Sequence, residues 1–294
     1  MIPLRLVQSI ETALTEVTAK SDRIRSCVSI GGGSINNACK VEWANEFYFL
    51  KWNSASKYPN IFDYESHGLK QLLATNSIGI PEVLKVGKNE TDAFILMEYI
   101  GQSASDKTFW EAFGKQLSDL HRNTTNYFGN DQDNYIGSLS QSNTKHDRWS
   151  AFFVSERLQP LVKMARDNQR ISQQHAIRFD KLFEKIETLF PPEKPSLLHG
   201  DLWSGNFLCN TKGLPVLIDP AVYFGHREMD IAMTKLFGGF GAVFYESYNR
   251  HFLMEKGWEK RVELCNLYPL LVHLNLFGSS YLYDIERTLR YFVQ

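Results

Sequence analysis

The chain has 294 residues, 43% of them hydrophobic and 22% charged, with a formal net charge of -1. That length supports one large domain or two lobes with substantial cores, in an ordinary globular composition. A near-neutral chain with no basic block implies neither a nucleic acid nor an anionic membrane surface as partner, and no uninterrupted apolar run is long enough to span a bilayer.

Arg5, Glu11 and Glu16 break up any signal-peptide core over residues 1–20. Cys27, Cys39, Cys209 and Cys265 are scattered without a C-x-x-C pair, which points to a reduced, cytoplasmic protein. The histidines make no H-E-x-x-H or other metal spacing, so a zinc enzyme is not expected.

Leu6, Ile10, Leu14 and Val17 stand at helical spacing and predict an amphipathic helix over residues 3–20. Arg25 to Ile30, Asn37 to Val41 and Glu46 to Trp52 read as strands, with Gly31-Gly32-Gly33-Ser34 between the first two. Glycines between strands let a backbone approach a phosphate without a Cβ in the way, but neither G-x-G-x-x-G nor a Walker loop is present, and taken alone the run reads better as a plain hairpin turn. Lys51 ends an apolar strand, where an ammonium is costly without an anionic partner. A helix from about Asn60 to Thr75 carries Glu65, and a strand lysine paired with a helix glutamate positions nucleotide phosphates in kinase-like folds. For an isolated lysine, snorkelling from the strand end would be the simpler account; the downstream pattern favours the phosphate role. Pro81 to Val86 and Ala93 to Ile100 complete the strands of this half. The second runs through Met97, Glu98 and Tyr99 into a polar connector, which in a kinase-like architecture is the adenine-binding hinge by its place in the order of elements, although an edge strand leaving a sheet would have the same sequence.

Beyond Gly101 the pattern turns helical. Asp106 to Arg122 places Trp110, Phe113, Leu117 and Leu120 on one face, with Asp106 as N-cap. Tyr127 to Lys145 lacks periodicity and is rich in Gly, Asn, Ser and Asp, which predicts a long surface loop. Helices are expected over Asp147 to Arg166 and Ile171 to Phe190, the latter halted by Pro191-Pro192. Tyr223 to Asp230 is expected to open a helix through Phe237, with Glu228 and Asp230 complementing its dipole. The remainder, Phe240 to Phe292, reads as helical and aromatic-rich.

The chemistry concentrates in His199-Gly200-Asp201-Leu202-Trp203-Ser204-Gly205-Asn206 and in Asp219, which ends the strand-like Val216-Leu217-Ile218. An acid five residues before an amide, with a second acid further on, suits magnesium-dependent phosphoryl transfer. Asp201 can take the proton of an attacking hydroxyl, and Asn206 and Asp219 offer hard oxygen ligands to Mg²⁺. Protein kinases carry H-R-D-L-x-x-x-N and a later metal-binding Asp. Here Gly200 replaces the Arg and Pro220 follows the second acid, which points to small-molecule kinases of the same fold. Trp203 presents an aromatic plane suited to the apolar face of a sugar-like acceptor, or it packs beneath the loop.

Leu198 to Asn206, Tyr223-Phe-Gly-His-Arg-Glu-Met-Asp230, Leu236-Phe-Gly-Gly-Phe240 and His273-Leu-Asn-Leu-Phe-Gly278 together resemble the fructosamine-3-kinase, or ketosamine-3-kinase, family across nearly the full chain. The resemblance implies an α+β, two-lobed protein-kinase-like fold, with a nucleotide-binding lobe over residues 1–100 and a helical catalytic and acceptor lobe over 101–294. It implies phosphorylation of the 3-hydroxyl of a ketosamine by ATP and Mg²⁺. The unstable product then releases the amine. Matched by position, Asp201 is the base, Asn206 and Asp219 hold the metal, and Lys51 with Glu65 orients the phosphates. Gly32, Gly33, Ser34, Met97, Glu98 and Tyr99 line the nucleotide, and Trp203, His226, Arg227, Glu228, His273 and Asn275 are acceptor candidates. Several relatives have Cys where this chain has Ser34, so a redox switch there does not carry over. The expected partner is a small ketosamine or a glycated protein side chain. Another small-molecule kinase, acting on an aminoglycoside, choline-like or sugar hydroxyl, stays open as an alternative, as does a nucleotide-binding pseudokinase. The retained Lys51, Glu65, Asp201, Asn206 and Asp219 argue against the latter.

Overall fold

A computed structural model describes residues 2–31 and 35–293. The chain forms two compact units, Met1–Phe109 with Gly205–Pro220, and Trp110–Ser204 with Ala221–Gln294. The first unit therefore runs past residue 100 and takes back a segment from the second half of the chain, which a linear division does not anticipate.

In the first unit, helix α1 (Leu4–Thr18) precedes strands β1 (Ser26–Ser29), β2 (Asn37–Trp43) and β3 (Glu46–Ser54), then helix α2 (Ile61–Leu73) and strands β4 (Val83–Lys88) and β5 (Asp92–Glu98). The strands form one antiparallel sheet in the order β1-β2-β3-β5-β4. Ala44 and Asn45, both at positive φ, make the two-residue turn between β2 and β3, as the twist of a tight hairpin demands. Strand alternation sends Cys39, Val41 and Trp43 of β2 and Tyr48, Leu50 and Trp52 of β3 into one core with Leu6, Ile10 and Leu14 of α1. Lys51, one step out of phase with Leu50 and Trp52, is left on the opposite face. The returning segment is a hairpin, Phe207–Cys209 paired with Pro215–Leu217, and Leu217 N–H donates to Gly79 O at 2.9 Å. The helix Lys107–His121 begins as expected, with Asp106 Oδ1 accepting from Phe109 N–H at 2.8 Å.

The second unit is mainly helical. Its core gathers Phe152, Phe153, Phe179, Leu182 and Ile186 with Leu264, Leu267, Leu271 and Leu274 of the long helix Trp258–Phe277, closed by Ile285 and Leu289 of Leu282–Phe292. Three expectations need correction here. The stretch from Tyr127 to Lys145 is not a surface loop: Phe128 and Ile136 join the core, and Asn130, Gln141 and Asn143 are buried. It contains a small hairpin, Asn134–Ile136 with Leu139–Gln141, and Gly129 and Phe224 exchange backbone hydrogen bonds at 2.9 and 2.8 Å. Its Asn side chains, which looked like loop composition, and Gln141 satisfy buried carbonyls: Asn134 Nδ2 donates to Val222 O at 2.8 Å and Gln141 Nε2 to Ala221 O at 3.3 Å. Next, Tyr223–Gly225 is a strand paired with Ser196–Leu198, and the helix starts only at Glu228 and ends at Leu236. Finally, the helix expected over Asp147 to Arg166 is Trp149–Phe152, a π-helical turn Phe153–Leu158, and Gln159–Asp167. Pro160 has no N–H for the carbonyl of Glu156, and that deficit coincides with the π turn.

Candidate active site

In the first unit Lys51 is buried on β3, and its Nζ donates to Glu65 Oε1 of α2 at 2.8 Å and to Asp219 Oδ1. Burial alone would lower the lysine pKa; the Asp219 and Glu65 carboxylates outweigh it and hold the ammonium charged, above its usual range. Asn206 and Asp219, thirteen apart in sequence, are brought together by the 207–217 hairpin. Its Phe207–Leu217 pair puts them at one end, Ile218 N–H donates to Asn206 O at 3.1 Å, and Asn206 Nδ2 reaches Asp219 O at 3.5 Å. Asp219 adopts φ 55°, a left-handed conformation that Asp tolerates better than most residues. Met97 is buried at the end of β5. Glu98 N–H already donates to Glu82 O at 2.9 Å, and Lys40 Nζ lies over the Phe47 and Tyr99 rings at 3.6 and 4.5 Å. Gly32, Gly33 and Ser34 lie outside the described residues.

In the second unit the loop bearing Asp201 is held from beneath by Asp230. His199 N–H donates to Asp230 Oδ2 at 2.7 Å and Gly200 N–H to Oδ1 at 2.9 Å, while Ala221 N–H donates to His199 O at 2.9 Å. Gly200 has φ +83°, and a Cβ there would lie 2.1 Å from Ala221 O, so only glycine fits. Asp230 is itself buried and is met by His121 Nε2 at 3.3 Å; a carboxylate only accepts, so Nε2 carries the proton. The other ring nitrogen of His121 meets Tyr248 Oη at 2.8 Å. Burial pushes the Asp230 carboxyl up, but His121, His199 and the Gly200 N–H pull it down further, so it stays ionised below its ordinary range. Asp230 was legible only as a helix-dipole acid, and nothing in the sequence singled out His121 or Tyr248.

Trp203 is half-buried two residues after Asp201, with its backbone N–H donating to the Asp201 carbonyl at 3.2 Å. Its ring meets Phe237 edge-on at 5.9 Å, and Phe237 meets His273 at 5.0 Å, so two acceptor candidates far apart in sequence share one aromatic row. The turn behind Phe237 needs its glycine: Gly239 has φ +93°, and a Cβ there would fall 2.6 Å from Ser204 Cβ. His273 Nδ1 donates to Pro269 O at 2.7 Å, and burial lowers the ring's pKa, which leaves Nε2 as an acceptor.

The other acceptor candidates have protein partners instead. Arg227 is buried, forked onto Glu193 at 2.7–3.0 Å, bonded to the carbonyls of Phe252 and Leu253, and stacked on the Phe252 ring. Glu228 pairs with Arg261, His226 reaches Pro191 O at 3.3 Å, and Asn275 Nδ2 donates to Leu161 O and Leu271 O. These four residues anchor the helices around the site; the polar groups of Arg227, Glu228 and His226 are occupied, and Asn275 keeps only its Oδ1 without a hydrogen-bond partner among the described residues.

A sequence model described as fructosamine kinase matches residues 6–294. A protein of Enterococcus faecium with the provisional name ketoamine kinase is 37% identical over 267 residues, 90% of this chain and 94% of that one. A rice protein named protein-ribulosamine 3-kinase, chloroplastic, is 39% identical over 278 residues, covering 91% of this chain and 78% of its own. A solved structure from Thermobifida fusca, provisionally named a fructosamine-3-kinase, superposes with a TM-score of 0.88 at 30% identity, covering 98% of this chain and 99% of that one. An aminoglycoside phosphotransferase at 17% identity and TM-score 0.64 shares the fold, which is kinase-like and α+β. On this agreement of sequence and fold over nearly its whole length, the chain belongs to the fructosamine kinase family.

Proposed function

We propose that this protein is an ATP-dependent kinase that phosphorylates the 3-hydroxyl of a ketosamine, with a fructosamine, ribulosamine or erythrulosamine as acceptor, and so starts deglycation. Membership of the family and the names its relatives carry support the substrate class. The observation that carries the nucleotide half is the buried Lys51 ammonium, charged and shared between Glu65 and Asp219. A buried cation with one carboxylate to orient it and a second that can turn to a metal is what phosphate binding requires.

Asn206 and Asp219 fit Mg²⁺: one amide oxygen and one carboxylate are hard donors, and such an ion takes its remaining ligands from water and phosphate oxygens. When bound, the ion would neutralise charge on the phosphates.

Asp201 is the proposed base. Its backbone is fixed through Gly200 and His199 by Asp230, so its carboxylate can take the proton of the acceptor 3-hydroxyl as that oxygen attacks the terminal phosphate. Trp203 offers its ring to the sugar face, and His273 Nε2 can accept from a second hydroxyl. The phosphate ester formed sits next to the ketose carbonyl; after enolisation towards C1 the phosphate leaves by β-elimination, and water hydrolyses the resulting imine to free the amine. The acceptor amine is that of a small ketosamine or of a glycated protein side chain.

An ADP-release assay tests the substrate class, with ribulosyl-, erythrulosyl- and fructosyl-lysine beside an aminoglycoside and choline. Release that depends on a ketosamine, and little with the other acceptors, is expected. Equal or greater release with the aminoglycoside or choline would replace the ketosamine reading by that of another small-molecule kinase.

A further inference from the structure

Arg157 is wholly buried in the second unit, on the π-helical turn Phe153–Leu158. Among the described residues no carboxylate pairs with it. Its Nη1 donates to Ser142 O at 2.6 Å and Glu156 O at 3.2 Å, its Nη2 donates to Asn143 Oδ1 at 2.6 Å, and its Nε–H has no partner. The Glu156 carbonyl is the one that Pro160 cannot serve, so the guanidinium completes the turn that presents it. Three rings close around the cation: Tyr223 at 4.1 Å, Phe152 at 4.5 Å and Tyr268 at 5.6 Å. A buried guanidinium without a counter-ion is expensive, and apolar packing could fill this space at lower cost. Its retention calls for a task.

The Tyr223 ring supplies that task. The ring edge lies against Gly200, where a Cβ would be 3.2 Å from Tyr223 Cε1, and Gly200 precedes Asp201. Tyr223 is on the strand paired with Ser196–Leu198, which leads directly into the loop. Through Ser142 and Asn143 the same guanidinium also ties down the segment whose Gln141 amide donates to Ala221 O, the carbonyl facing Gly200.

We propose that Arg157 is a positioning residue for phosphoryl transfer: stacked on Tyr223 and forked onto residues 142–143, it wedges the Gly200 turn and fixes the direction of Asp201. Asp230 holds the turn by its N–H groups; Arg157 holds it by a ring. The inference rests on Asp201 as base, the reading given above.

The test measures kcat and both KM values, with ATP and ribulosyl-lysine, for Arg157→Met, Arg157→Lys, Tyr223→Leu, the double variant Arg157→Met/Tyr223→Leu and Asp201→Asn, each normalised to folded protein by circular dichroism. Arg157→Met is expected to lower kcat about 10-fold, since small misplacements of a reacting group are costly, with both KM values within about threefold. Arg157→Lys keeps the cation over the ring and is expected to recover part of that loss, remaining about threefold below wild type because one ammonium cannot replace the fork. Tyr223→Leu should match Arg157→Met, and the double variant should be no slower than either, because both act through one wedge. Wild-type kcat in Arg157→Met would overturn the proposal; if that variant does not fold, wild-type kcat in Arg157→Lys would do so. Multiplying defects in the double variant, or KM values that rise with an unchanged kcat, would also overturn it. Asp201→Asn separates the two readings: an active Asp201→Asn removes the base itself, whereas an inactive one beside a fully active Arg157→Met removes only the wedge.

Discussion

The Asp230 carboxylate accepts the backbone N–H of Gly200 at 2.9 Å through one oxygen and takes the neighbouring His199 N–H at 2.7 Å through the other. Two consecutive amides on one buried anion fix the plane of the turn that carries Asp201. A neutral amide at position 230 offers only one acceptor and sets its NH₂ against an N–H.

Asp230→Asn is therefore expected to cost about 1–3 kcal/mol of stability, the penalty for an unsatisfied buried donor, and to lower kcat more than either KM. The pH dependence has a defined sign. The folded pKa of Asp230 is depressed, so its contribution is fully present above the unfolded value of about 3.9 and is lost as the pH falls through the folded value. Urea unfolding of wild type and variant should differ equally at pH 7 and pH 5.5 and converge only in stronger acid. Convergence already near pH 6 would contradict this assignment.

Asp219→Ala leaves Asn206 as a lone neutral ligand and removes one of the two carboxylates on Lys51. The thermal shift produced by ATP with Mg²⁺ should be lost. An unchanged shift would mean that the metal and phosphates are held by other residues.

Trp203→Ala separates a sugar platform from a packing role. Stacking of about 1–3 kcal/mol, the range found for bases on aromatic side chains, predicts a rise in acceptor KM of roughly 5–150-fold with ATP KM little changed. Trp203→Phe should recover most of the affinity. A sharp fall in melting temperature with an unchanged acceptor KM would place Trp203 in the packing.

Gly239→Ala forces a side chain into a left-handed position and into Ser204. The backbone penalty alone is about 1–2 kcal/mol, and the displaced Ser204 should slow turnover as well. Melting temperature and kcat, measured together, check both parts; a variant with wild-type values in each would show that the turn has room.

The first unit was legible because its sheet obeys simple alternation. Cys39, Val41 and Trp43 face one way, and Lys51 stands out by falling on the opposite face in an apolar strand. The Lys51–Glu65 and Asn206–Asp219 associations were legible because each pair is joined through a short, regular piece of structure. What was not legible is buried polarity. Arg227 pairs with Glu193 and Glu228 with Arg261, partners more than thirty residues away, so a polar block read as acceptor contacts has internal partners that the sequence did not signal. The segment from Tyr127 to Lys145 misled for the same reason: its amides serve buried carbonyls rather than water. Asp230 at the head of a helix satisfied the dipole argument so well that its grip on Gly200 had no separate signal.

The central claim is that Asp201 takes the proton of a ketosamine hydroxyl during phosphoryl transfer from ATP. Steady-state ADP release with ribulosyl-lysine, compared between wild type and Asp201→Asn at saturating ATP and Mg²⁺, tests it most directly. The account predicts ketosamine-dependent turnover by the wild type and a fall of about 10²–10⁴-fold in the variant, with ATP binding retained in a thermal shift. Turnover in Asp201→Asn within a few-fold of wild type, or a wild type that releases no ADP with any ketosamine, would contradict it.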